Sequence, residues 1–319
     1  MERLTVVGVD ASPSSRLALA RACTLGDRLL VLVRTGAQVP AGLPATSRVR
    51  RVPRIAPDVV FDVAAETGAS FTVISDAMAN PVVALRPAML AARRGIRAHG
   101  GSHVCMLVSR DAEPPAEAAP TGCYRRILVG VDASPGAAVA ALVAGRIAAD
   151  CDARLDIAAI ERRRDSALRD LVERLASPGS TQPPSAFRSC GPVQAPHLQT
   201  ALDALSAAPV DAHVEFRVGE PADVLVRASR NDDHDLLVSS TIGVNGHGRQ
   251  GHVAQVTRRL LRLSRVDHLV VFDAFTLGLR TADSSGDLVA DAAAALAGGT
   301  DPALGEAAAT LHDEDGHRP

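Results

Sequence analysis

The sequence contains no lysine, so all 34 of its basic residues are arginine. A phosphate loop of the Walker type, a Schiff base and a covalently held pyridoxal phosphate all need a lysine amine and are excluded. No apolar run reaches the roughly 18 to 20 residues that span a bilayer, and the opening MERLTVVGVD lacks the basic and apolar regions of a signal peptide. The expectation is a cytoplasmic protein with no membrane partner. The five cysteines, Cys23, Cys105, Cys123, Cys151 and Cys190, include no Cys-x-x-Cys pair. They point away from zinc or dithiol chemistry and are expected to be reduced and mostly buried. A dense basic face is also missing. Residues 273–319 carry nine acids against two arginines, which leaves the rest of the chain with a diffuse excess of about five positive charges, too thin for nucleic-acid binding.

What is present is a duplication. The heptapeptide VGVDASP stands at Val7–Pro13 and again at Val129–Pro135, an offset of 122. From Asp58/Asp223 onward the offset is 165 and runs without a gap through Ser75/Ser240, Asn80/Asn245, Arg93/Arg258 and His103/His268. The growth in offset places a 43-residue insertion in the second copy. Each copy reads as alternating apolar strands and helices, which predicts a parallel, doubly wound α/β sheet of five strands. Ser12-Pro13 and Ser134-Pro135 are the expected starts of the first helices. Copy one has only TGAQVPAGLPATS between its second and third strands, so the helix there is expected to be lost. The later elements are expected at 49–55, 57–67, 70–75, 86–98 and 103–108 in copy one, and at 213–218, 221–231, 235–240, 253–263 and 268–272 in copy two. Copy two adds residues 161–212, with a charged helix ERRRDSALRDLVERLA, a Pro/Ser/Gly-rich loop at 177–196 and a helix HLQTALDALSA. The domains are then 1–109, a linker at 110–123, 124–272 and a tail at 273–319, read as a solvated acidic appendage with short helices at 287–297 and 302–311.

ILVGVDAS, the helix start Gly219-Glu220-Pro221-Ala222, the segment NGHGRQG and the closing RRLLRLSRVDHLVVF resemble the universal stress protein family. The resemblance covers 125–272 and extends more weakly to 3–108. It implies an adenine nucleotide alpha hydrolase-like fold and, in many relatives, ATP held at the carboxyl ends of the strands. Asp132, after Gly130, matches the aspartate that contacts adenosine. Gly248, Arg249 and Gly251, with Gly246 before them, match the first half of the phosphate loop. The second half is missing: Leu261 and Arg262 stand where the family's Gly-(Ser/Thr) pair falls. In copy one the glycine positions hold Pro81, Val83 and Arg86, so any ATP or other adenine nucleotide is expected in copy two alone.

Other readings of the same residues remain open. Asp132 and Asp10 can serve the first helix's N-terminus, and the glycines can form a plain turn. His247 and His252 lack partners at metal-ligand spacing, and no histidine and acid are seen to form a triad with Ser239-Ser240-Thr241. The expected function is a regulatory, non-enzymatic stress protein, with a scaffold that binds no nucleotide as the alternative. The last strands, HVCMLV and HLVVF, are apolar edges. The expectation is that they join the two copies as an internal pseudo-dimer, with the His103 and His268 regions against each other, and a homodimer is a further partner the family allows.

Overall fold

The computed structural model describes residues 3–10, 12–78, 80–101, 103–110, 123–132, 134–161, 196–241, 255–274, 277–279 and 285–296. The first copy forms β1 (Leu4–Val9), α1 (Pro13–Leu25), β2 (Arg28–Arg34), β3 (Ser47–Val52), α2 (Pro57–Thr67), β4 (Phe71–Ser75), α3 (Pro81–His99) and β5 (His103–Ser109). The second forms β6 (Arg126–Val131), α4 (Pro135–Cys151), β7 (Arg154–Glu161), α5 (Pro196–Ala207), β8 (Ala212–Val218), α6 (Pro221–Asn231), β9 (Leu236–Ser240), α7 (Gln255–Leu263) and β10 (Asp267–Asp273), and is followed by α8 (Ser285–Leu296). The linker at 111–122, the charged helix, the Pro/Ser/Gly-rich loop as far as 195 and the end of the tail lie outside the described residues.

All ten strands belong to one sheet, ordered β3-β2-β1-β4-β5-β10-β9-β6-β7-β8. Each half is the same parallel, doubly wound unit, and the halves meet where β5 and β10 pair antiparallel, with Val270 opposite Met106. This is the expected pseudo-dimer, with one correction. His268 pairs with Val108, and His103 with Asp273. Antiparallel pairing puts equivalent residues at opposite ends of the two strands, so the histidines are separated rather than packed together.

The local reasons for the elements are those the sequence suggested. Ser12 and Ser134 cap α1 and α4 by accepting from the N–H groups of Ser15 and Ala137, both at 3.2 Å, with proline in the first turn. Helix α3 starts five residues before the expected 86, because Asn80 Oδ1 accepts from Val82 N–H at 3.0 Å and Pro81 opens the helix, while Pro87 is carried inside it. The inserted residues are not one block: α4 is 17 residues long against 13 for α1, so part of the offset lengthens that helix. The helix missing between β2 and β3 is missing in the structure as well, where 35–46 forms turns.

One face of the sheet is covered by α1, α4 and α5, the other by α2, α3, α6 and α7. Helix α4 is buried nearly all round, as its sequence PGAAVAALVAGRIAADC, with little polar surface, requires. Helix α8 supplies the outer cover, lying against α4 and α5 with Val289 at 1% and Ala292 at 4% exposure. The expectation of a solvated tail is therefore wrong for 285–296: an apolar helix needs a roof, and this segment is the roof. Val289→Asp should destabilise the protein by about 2 to 4 kcal/mol through an unpaired buried carboxylate. A urea midpoint unchanged from the parent would mean that α8 does not pack there.

Candidate nucleotide site

In each half the chain leaves the central strand for one face and reaches its other neighbour from the opposite face. A crevice forms outside the carboxyl ends of the two strands, where open α/β sheets take ligands. In the second half these strands are β6 and β9, and the crevice is headed by the N-terminus of α4. Asp132 follows β6 there, half-buried, with Oδ1 accepting from Ser134 N–H at 2.9 Å and from Ser134 Oγ at 2.5 Å. Its carboxylate thus holds the residue that caps α4, and it sits at the positive end of the helix dipole. Helix α7 is tied to the same edge by Thr257 Oγ1, which donates to Ser240 O at 2.8 Å. Gly246, Gly248, Arg249 and Gly251 lie outside the described residues.

The first half repeats the turn. Asp10 Oδ1 accepts from Ser12 N–H at 2.8 Å, and Ser15 Oγ donates to Asp10 O at 2.7 Å. Partial burial pushes the Asp10 carboxyl up, but the Ser12 and Ser15 donors outweigh it and the net shift is downward. Gly8 shows what fills the space beside β1: a Cβ there would come within 2.9 Å of Val60, 3.0 Å of Ile55 and 3.1 Å of Met78. At Gly130 the corresponding Cβ would stand 2.6 Å from Leu225 Cδ1. The glycine of the repeated heptapeptide therefore lets α2 and α6 close onto their sheets, a packing role that holds with or without a ligand.

Several polar groups were not legible as a set. Ser239 and His268 are hydrogen-bonded at 2.9 Å between Oγ and Nε2, both buried. No acid orients the ring, because His268 Nδ1 has no partner among the described residues. Burial, then the nearby Arg110 cation, lowers the imidazole to about 3, so it is neutral at ordinary pH and closed off from substrate. At the junction of the halves, Asp267 is fully enclosed. It accepts from Arg110 N–H at 2.8 Å and Tyr124 Oη at 3.1 Å, and pairs with Arg21 at 2.8 Å, whose guanidinium also lies 4.5 Å from the Tyr124 ring centre. Burial pushes the Asp267 carboxyl up against the pull of Arg21 and the other donors. Arg3 makes a second ion pair between the halves, with Asp150 at 2.7 Å. Tyr124 is the chain's single tyrosine, and nothing in its neighbours along the sequence announces these contacts.

Among the described residues no group of three His, Cys, Asp or Glu side chains could hold a metal ion, and no helix is long and apolar enough to cross a membrane. The cysteines depart from expectation: of the four described, Cys105 is buried, Cys151 is intermediate, and Cys23 and Cys123 are exposed.

The model of the universal stress protein family matches residues 123–271. Among solved structures, a functionally unknown protein from Pseudomonas aeruginosa PAO1 is 13% identical, with 93% of this chain and 98% of that chain covered and a TM-score of 0.52. A putative universal stress protein from Pseudomonas aeruginosa UCBPP-PA14 is also 13% identical, with 93% and 98% covered and a TM-score of 0.51. Both likenesses show the fold across both halves. A universal stress protein in complex with cAMP is 25% identical over 46% of this chain and 96% of that chain, with a TM-score of 0.32. No curated relative matches the sequence.

Proposed function

Since residues 123–271 belong to the universal stress protein family, we propose that this chain is a cytoplasmic regulatory protein that binds an adenine nucleotide, such as ATP, in its second half alone. The division into domains at 1–109 and 124–272 is part of that reading. The observation that carries it is the contrast between the two halves. Asp132 stands half-buried at the head of α4, and the glycine-bearing segment follows β9 in the sequence, whereas the matching positions of the first half hold Pro81, Val83 and Arg86. Asp132 would accept from the ribose hydroxyls, and the N–H groups of the Gly246–Gly251 segment, with Arg249, would meet the phosphates. Half of the family's phosphate loop is absent, so affinity is modest. Asp132 and Asp10 make the same bond to the following serine N–H, which favours the second reading, a scaffold of the same fold that binds no nucleotide.

Thermal unfolding with and without ATP separates the two. A ligand at ten times its Kd adds about 1.4 kcal/mol to the folded state. The melting temperature should rise at millimolar ATP, and the rise should vanish in Asp132→Ala while Asp10→Ala keeps it. An unchanged melting temperature at nucleotide on the order of 10 mM, near the weakest useful Kd, favours the scaffold.

A further inference from the structure

The β6–α4–β7 unit brings the chain back to its own beginning. Arg126 and Arg154 are partners in register, and Arg154 N–H donates to Arg125 O at 3.0 Å. The residue before Tyr124 and the last residue of α4 therefore meet, and both are cysteines. The Cys123 and Cys151 thiols lie close enough to influence one another, and the Tyr124 backbone N–H is near the Cys151 sulfur. Cys123 is exposed and Cys151 only partly so. We propose that Cys123 and Cys151 are an oxidisable dithiol that closes to an intrachain disulfide when a peroxide reaches Cys123.

The exposed member reacts first. Burial is the main cause that pushes the Cys151 thiol up to about 12, so this sulfur stays protonated and acts second, after the peroxide has met the exposed Cys123. The Cys123 sulfur attacks one peroxide oxygen, the O–O bond breaks, and the departing hydroxide takes up the thiol proton as water. The Cys123 sulfenic acid so formed is attacked by the Cys151 sulfur. The S–S bond forms, the S–O bond breaks, and the hydroxyl leaves as a second water with the Cys151 proton. Two thiols are oxidised and one peroxide is reduced to two waters.

The place of the pair gives the bond a consequence. Cys123 immediately precedes Tyr124, which lies beside Arg21 and bonds to Asp267 at the junction of the halves. Closure would staple the chain's entry into that junction to the end of α4, and the melting temperature should rise by about 5 °C or more.

The test treats the purified full-length chain with hydrogen peroxide, blocks the remaining thiols, and maps peptides without reduction. The expected result is a monomer lighter by two hydrogen atoms, with the Cys123 peptide joined to the Cys151 peptide and the other three cysteines blocked. In Cys151→Ser the bond cannot form, and dimedone should capture the sulfenic acid at Cys123. Recovery of both cysteines as blocked thiols would overturn the proposal. So would a bond from Cys123 to any other cysteine or to a second chain.

Discussion

Asp267→Ala should lower the stability of the protein by about 3 to 5 kcal/mol, the cost of stripping a buried charge cluster of one partner. The substitution leaves Arg21, Tyr124 Oη and Arg110 N–H without the carboxylate to which all three converge. These partners come from α1, from the entry to β6 and from the end of β5, so the loss falls on the seam between the halves rather than inside one of them. A double-mutant cycle makes the point specific. Arg21→Met belongs to the first half and Asp267→Ala to the second, and residues in direct contact couple by about 0.5 to 3 kcal/mol, whereas distant ones add within about 0.5. Coupling above 1 kcal/mol in urea unfolding is expected here, at the order of a buried charged contact. Strict additivity would mean that the halves do not meet through this cluster.

Acidification should act through His268. Its folded imidazole is lowered to about 3 by burial first and by Arg110 second, while in the unfolded chain it titrates near its ordinary value of about 6.5. The unfolded state therefore binds the proton first. Stability from the neutral ring is fully present above about pH 6.5 and is lost as pH falls toward 3, up to about 5 kcal/mol across the whole window. Asp267 works in the opposite direction. Its raised carboxyl makes the native state take up a proton before the unfolded chain does, so its contribution is complete below the ordinary carboxylate value and declines as pH rises through the raised one. Comparing the parent with His268→Gln isolates the imidazole, because Gln can still bond to Ser239 but carries no titratable group. The variant's stability should fall less steeply between about pH 7 and about pH 4. Parallel curves would show that His268 is solvated and free to titrate.

How much of this was visible beforehand depends on the range of the interaction concerned. Strand, turn and helix at VGVDASP follow from apolar runs, a capping serine and a proline in the first turn, all within a few residues of one another, and the structure repeats them in both halves. Helices α2 and α6 fall where the pattern placed them, at Pro57–Thr67 and Pro221–Asn231. The apolar character of β5 and β10, taken together with the family resemblance, led to the expectation that they pair, because an open apolar edge is costly in water. Register was not legible: neither strand carries a polar mark that separates one antiparallel alignment from the next, and the meeting of His268 with Val108 depends on how both halves seat together.

The same limit explains the two main surprises. The largely apolar α4 demanded a cover, but composition could not say that Val289 and Ala292 of the acidic tail would provide it rather than a partner chain. Asp132 and Gly130 lie at the end of β6, where Asp132 bonds to Ser134 and Gly130 faces Leu225, and the proposed ligand role of Asp132 rests on its place at the head of α4 rather than on the motif. Local pattern was sufficient for the elements, their order and their duplication, because those depend on neighbours in the chain. Tertiary structure alone assembled Arg21 with Tyr124 and Asp267, Ser239 with His268, and Cys123 with Cys151. Each of these groups joins residues 28 or more positions apart in the chain, and only the closure of the sheet and its helices brings them together.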